Sequence, residues 1–234
     1  MSSKNNELKA GVILSFDDYF VTEWFNLHKL MTPFNWKANF FVSNQTKLNV
    51  EDYEKLVALQ DYGHEIGGHG FEHIEAPSYQ KKNGSSNYLN KEIIPMLSAF
   101  EQNKINIKSF AYPYGTRSLA TDKLLLNKFN ILRGTTLSYA FPSLNKCFFN
   151  NKKIVYGLGI DHHYRHFSLT YILNLLKYAF NKHKILILYA HKPVLKVQNK
   201  YEVAYHTIQE ICSFINKNNM TFFVFNDLHP KIKT

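Results

Sequence analysis

Short apolar runs alternate with longer amphipathic stretches along this chain. Residues 11–16 (GVILSF) and 38–42 (ANFFV) read as strands buried on both faces, because their apolar residues run on without a polar alternation. Residues 108–112 form a weaker strand, and 154–160, 185–189 and 221–225 three more. A further short strand is expected within 63–68, running into a turn. Between them lie helix-like patterns. Residues 50–62 bring Val50, Tyr53, Leu56 or Val57, and Gln60 near one face, with acidic residues early. Residues 90–103, 118–130, 169–181 and 203–218 are similar, whereas 81–90 (KKNGSSNYLN) carry turn formers and read as a loop.

Strands alternating with helices imply βαβ units and a mainly parallel sheet, which a barrel or a doubly wound sheet would both satisfy. No repeat, low-complexity tract or linker divides the chain, so residues 1–234 are expected to form one α/β domain. Cys147 and Cys212 lie far apart and do not describe a disulfide framework. The net charge of +10 points to an acidic partner or surface. Its lysines are scattered, and no zinc-finger spacing or RNA-binding signature accompanies them, so nucleic acid is not expected. A solvated Lys/Asn-rich surface explains most of the charge. An anionic glycan, a diphosphate-linked sugar or peripheral contact with an anionic membrane face would suit any remainder. The first residues contain no apolar signal-peptide core, which leads us to expect a cytoplasmic protein, or a secreted or periplasmic one if a leader was removed.

The polar residues are more informative. Asp17 and Asp18 follow directly on 11–16, and His69 and His73 follow 63–68. Pro113-Tyr114-Gly115 follow 109–112, Asp161 and His162 end the strand at 154–160, and His191 ends the one at 185–189. Each has an ordinary reading. An Asp after a strand is usually a helix cap, a lone His after an apolar strand can be a core residue, and His162, His163 and His166 read as loop residues. Yet five such clusters at C-terminal strand ends match the place where α/β barrels carry their chemistry. The set is also chemically coherent. Two imidazoles and a carboxylate make a three-ligand zinc site with an open position for water. A second carboxylate can take a proton from that water, and a further histidine can give one to a leaving group. Adjacent residues on a strand point to opposite sides, so dividing Asp17 and Asp18 between ligand and base is the economical assignment.

The same residues resemble the polysaccharide deacetylases, the NodB-homology domain of carbohydrate esterase family four. Ser15-Phe16-Asp17-Asp18 is similar to the first motif of that family, and the stretch from Gly63 through His69 to His73 to its second. Phe110-Ala111-Tyr112-Pro113-Tyr114-Gly115 resembles the third and Leu188-Tyr189-Ala190-His191 the last, in the same order. The resemblance implies a distorted (β/α) barrel of about seven strands with its active site at the C-terminal strand ends. It implies a metal-dependent hydrolase that removes N-acetyl groups from an N-acetylhexosamine-containing glycan or a lipid-linked sugar precursor. By the same resemblance Asp18, His69 and His73 hold Zn²⁺, or another divalent ion such as Co²⁺ or Ni²⁺. Asp17 is then the base, His191 the acid, and the backbone N–H of Tyr114 the oxyanion donor, with Pro113 beside it in the substrate and oxyanion site. Three departures stand out. Gly70 replaces a Ser or Thr that would help fix the second motif, and Ala111 replaces an arginine that steadies the base. The fourth motif is reduced to Ile160-Asp161-His162, where Asp161 is the remaining candidate.

Two rival readings accompany this one. His69-Gly70-Phe71-Glu72-His73 also fits the inverted zinc-peptidase pattern, with Glu72 as base, but that pattern needs a regular helix and leaves Asp17, Asp18 and His191 unexplained. A deacetylase-fold protein that binds glycan without cleaving it would be compatible with Gly70 and Ala111.

Overall fold

A computed structural model describes residues 9–229 and 232. Seven strands run parallel in chain order: β1 (Gly11–Asp18), β2 (Asn39–Val42), β3 (Glu65–Gly68), β4 (Ser109–Ala111), β5 (Ile131–Thr136), β6 (Ile154–Gly159) and β7 (Ile185–Ala190). β7 pairs back onto β1 and closes the barrel. Two strands, β8 (Lys192–Val194) and β9 (Glu202–Ala204), form a separate small parallel sheet just beyond β7. β10 (Thr221–Phe222) pairs with Gly11 and Val12, the stretch of β1 below the point where β2 joins at Ser15. This fills a gap that the shorter β2 leaves on that edge, and it makes the barrel distorted.

Strand alternation sorts the core into two buried clusters. Val12, Leu14, Phe16, Phe40, Val42, Leu186 and Leu188 pack outwards against the helices. Ile13, Phe41, Ala111, Ile131, Ile185 and Ile187 pack inside the barrel, closed off at one end by Phe225 and Leu228. The two-residue period carries the inner parity upwards. Counting from Ile13 it reaches Asp17, from Ile131 it reaches Arg133, and from Ile187 it reaches Tyr189. The sequence therefore places these three polar side chains in one layer at the C-terminal mouth.

Several elements differ from their sequence-based expectation. Residues 81–90 are helical, not loop: Ala76–Asn83 and Ser85–Tyr88 form helices that run into a π-helical turn, Leu89–Ile93. Burial of Tyr88 and Ile93 outweighs the local turn chemistry, which is spent at Gly84 between the two helices. The expected strand at 221–225 stops at Phe222, and Phe225 begins a short helix in which the Asp227 carboxylate accepts from the Val224 N–H. β5 lies outside every strand expected from the apolar runs. The helix Val50–Asp61 forms, but it buries Leu56 and Leu59 and leaves Val50 exposed. Cys147 and Cys212 are separately buried and free.

Candidate metal centre and catalytic pocket

The mouth of the barrel holds a cavity of 390 Å³ lined by Asp17, Asp18, His69, His73, Tyr114 and His191 among others. Backbone geometry is unusual around it. Asp18, His73 and Tyr114 have φ of 88°, 64° and 59°. Such left-handed conformations cost non-glycine residues roughly 1–3 kcal/mol each and concentrate at functional sites. At Asp18 the consequence is direct. A regular strand would turn its side chain away from that of Asp17, whereas the positive φ lets both carboxylates face the same cavity.

Asp18, His69 and His73 converge. Their ligand atoms all lie within 4.8 Å of one another. His73 Nε2 is 3.2 Å from His69 Nε2, and Asp18 Oδ1 is 3.4 Å from His73 Nε2 and 3.8 Å from His69 Nε2. Ligand bonds of about 2.0–2.1 Å arranged tetrahedrally put donor atoms about 3.3 Å apart, so the spacing suits Zn²⁺. His69 Nδ1 donates to the Ala111 carbonyl at 2.8 Å, which leaves the Nε2 lone pair aimed at the centre. Burial holds His69 down to about 3 and lowers His73 as well, so both imidazoles are neutral and ready to ligate. Burial pushes the Asp18 carboxyl up, against the pull of His191 and His73. One carboxylate oxygen and two imidazole nitrogens converging on one point are a donor set that could hold a cation.

Asp17 has a different partner. Its Oδ2 accepts from an Arg133 guanidinium N–H, and both side chains are buried. Burial would raise the Asp17 carboxyl, but Arg133, helped by His69 and His191, outweighs it and holds the group below its ordinary range. The Arg133 guanidinium lies between the rings of Tyr189 and Phe41, 4.8 Å and 5.3 Å from their centroids. Gly157 leaves the room it needs, since a Cβ there would press on both Arg133 and Tyr189. The partner missing from Ala111 is thus supplied by β5. Sequence reasoning overlooked Arg133, and the inner parity shared by Ile131, Arg133 and Thr135 is the signal that would have found it.

His191 is fixed from two sides. Asp161, wholly buried, accepts from the His191 backbone N–H at 3.0 Å and from Nδ1 at 2.6 Å. Since the carboxylate can only accept, Nδ1 carries a hydrogen and Nε2 is the nitrogen left to exchange a proton with the cavity. Burial alone would lower His191, yet the Asp161 hydrogen bond and charge raise it above its ordinary value. The loop histidines behave otherwise: His162 meets Thr207, His163 accepts from the Tyr201 N–H, and His166 donates to the Gly159 carbonyl.

Pro113 and Tyr114 lie in a short 3₁₀ turn after β4. The Tyr114 ring is exposed and stands 4.6 Å from the ring of His73. Gly115 follows at φ 68°, where a Cβ would collide with Thr135, so the turn requires glycine. Glu72 is turned elsewhere, its carboxylate accepting from Lys91 Nζ at 2.8 Å. His69 and His73 are joined by a loop with Gly70 at φ 84°, not by the regular helix that an inverted zinc-peptidase motif requires.

Solved structures share this architecture. One is a family 4 acetyl xylan esterase from Clostridium thermocellum in complex with a cobalt ion, at TM-score 0.59 and 17% identity over 94% of this chain and 90% of that one. Another is the catalytic domain of a peptidoglycan N-acetylglucosamine deacetylase from Eubacterium rectale, at 0.57 and 16% over 95% and 91%. A CE4 family pseudoenzyme from Bacillus anthracis matches at 0.59 and 14% over 98% and 68%. At these identities the likeness speaks for the fold. No curated protein matches the chain in sequence. The family model described as polysaccharide deacetylase matches residues 4–130, a stretch that includes Asp17, Asp18, His69, His73 and Tyr114. The chain belongs to the polysaccharide deacetylase family.

Proposed function

We propose that the protein is a metal-dependent N-deacetylase acting on an N-acetylhexosamine-containing glycan or glycan precursor. The observation that supports this reading is one cavity lined by three residues that could hold a metal ion, a carboxyl held low and an imidazole held high. Asp18, His69 and His73 would hold the metal. Bound there, a divalent ion supplies Lewis acidity to the acetyl carbonyl and to the attacking water.

The remaining steps fall to the chain itself. Asp17, kept ionised by Arg133, takes a proton from the water as its oxygen bonds to the acetyl carbon. The Tyr114 backbone N–H donates to the carbonyl oxygen as negative charge builds on it. His191, its protonated form favoured by Asp161, delivers a proton to the nitrogen as the C–N bond breaks. Acetate and a free amine leave. The tuning suits these roles, since a carboxyl held down is a base available throughout the neutral range and an imidazole held up is an acid available there. The acetyl xylan esterase and the peptidoglycan deacetylase among the similar structures support an acetylated carbohydrate as substrate class.

The test is acetate release from N-acetylated glycans by the wild type, Asp17→Asn and Glu72→Gln. Loss of a general base costs about 10²–10⁴ in rate, so Asp17→Asn is expected to fall by that much while Glu72→Gln stays active. The reverse pattern would make Glu72 the base and overturn the role given to Asp17. A wild type that binds metal and sugar yet releases no acetate is a glycan-binding module.

A further inference from the structure

His69 and His73 sit at either end of a loop that carries Gly70, with no side-chain hydroxyl between them to hold it. Something else must hold the loop, because His73 has φ 64° and residues 70–74 lie outside helix and strand. The holder is a single buried residue. Glu92, at zero exposure, accepts the Glu72 N–H on Oε1 at 2.9 Å and the Ile74 N–H on Oε2 at 3.2 Å. Its backbone carbonyl accepts the Phe71 N–H at 3.1 Å. Three N–H groups, two between His69 and His73 and one just after His73, therefore end on one glutamate. Phe71 completes the tie, its own carbonyl accepting the Gln45 N–H at 3.1 Å.

Glycine at position 70 follows from the same contact. A Cβ there would collide with Glu92 Oε2, and φ 84° is a conformation that L side chains rarely adopt. Gly70 and Glu92 are thus one device, in which the carboxylate occupies the space a side chain at 70 would fill. The π-helical turn Leu89–Ile93 bears Glu92, and a single π turn inside a helical run commonly marks a functional position. Tyr88 and Ile93, both fully buried beside it, anchor that turn to the core.

We propose that Glu92 is the positioning residue of the metal loop: its carboxylate and carbonyl clamp residues 71–74 and so fix His73 against His69 and Asp18. This rests on the metal-site reading above but makes a separate claim, since Glu92 touches no ligand side chain and acts only through backbone.

Glu92→Ala and Glu92→Gln in the full chain test it, with two readouts that do not involve turnover. Gln keeps size and burial but offers one acceptor oxygen for two N–H groups, so it tests the clamp if Ala fails to fold. In metal-free protein, amide hydrogen exchange at 71–74 is expected to speed up in both variants while exchange in β1 and β7 stays as in the wild type. Zn²⁺ affinity, measured by chelator competition, is expected to fall about 10–100-fold, the usual loss when an outer support of a metal site is removed. A folded Gln variant whose loop exchanges like the wild type overturns the clamp. A loosened loop with unchanged Zn²⁺ affinity overturns its role in the metal site. Wild-type protein that takes up none of Zn²⁺, Co²⁺ and Ni²⁺ overturns the catalytic reading and the metal half of this one, while exchange still decides the clamp.

Discussion

Arg133→Met isolates the pair on which the proposed base depends. The substitution keeps an unbranched apolar side chain between Tyr189 and Phe41 but leaves the Asp17 carboxylate buried with no hydrogen-bond partner. Breaking a buried pair from one side costs about 3–5 kcal/mol. In a domain of this size each kcal/mol moves Tm by about 2–4 °C, so the fall at neutral pH should be roughly 6–20 °C. Its pH dependence has a definite sign. In the wild type the folded Asp17 carboxyl lies below its ordinary value of 3.8, so its contribution is complete above that value and is lost as pH falls through the lower, folded one. In the variant burial is opposed only by His69 and His191, and the group rises relative to the wild type. The penalty is then present at neutral pH and relieved as acid protonates the folded state. Calorimetry on metal-free protein should show the Tm gap between variant and wild type shrinking on acidification. Asp17→Asn in the Arg133→Met background should recover part of the loss, because it removes the unpaired charge. A single variant within about 1 kcal/mol of the wild type, or a gap indifferent to pH, would refute the reasoning.

The other predictions concern turnover and metal binding. Asp161→Asn removes the charge and one of the two acceptor oxygens that hold His191 up, so burial pushes the group down against the weaker pull of Asp17 and Asp18. Since the acid form of His191 is the working one, the alkaline limb of kcat/KM should move to lower pH, and a limb that stays put would sink the assignment. His191→Ala should lower kcat by about 10²–10⁴ with little change in KM for substrate. A change confined to KM would make His191 a binding group. Gly70→Ala should weaken Zn²⁺ binding in a chelator titration by displacing Glu92, and an unchanged affinity would show that the loop tolerates the collision.

How much of this was legible in the sequence depends on distance along the chain. Asp17-Asp18 and the His69–His73 pair announce themselves because strand end and chemistry are contiguous, and a mainly parallel α/β sheet follows from apolar runs alternating with amphipathic ones, whereas its closure into a barrel was implied only by the family resemblance. β5 escaped because Arg133 and Gly134 interrupt its apolar run, although the arginine is there to meet a carboxylate 116 residues earlier. No local pattern encodes such a pair. Asp161 looked like the remnant of a motif, whereas the fold sets it under His191 with two hydrogen bonds. Glu92 was still less visible. A lone acid in an amphipathic stretch reads as a solvated face, and only the packing of the π-helical turn against residues 71–74 gives it partners.

The central claim is that acetate release depends on a metal held by Asp18, His69 and His73. The direct measurement is release from a panel of N-acetylated glycans by protein stripped with chelator and then reloaded with Zn²⁺ or Co²⁺, alongside His73→Ala. Activity is expected to disappear on stripping, to return on reloading and to stay absent in the variant. Acetate release that survives complete stripping, or that His73→Ala supports as well as the wild type does, would contradict that claim.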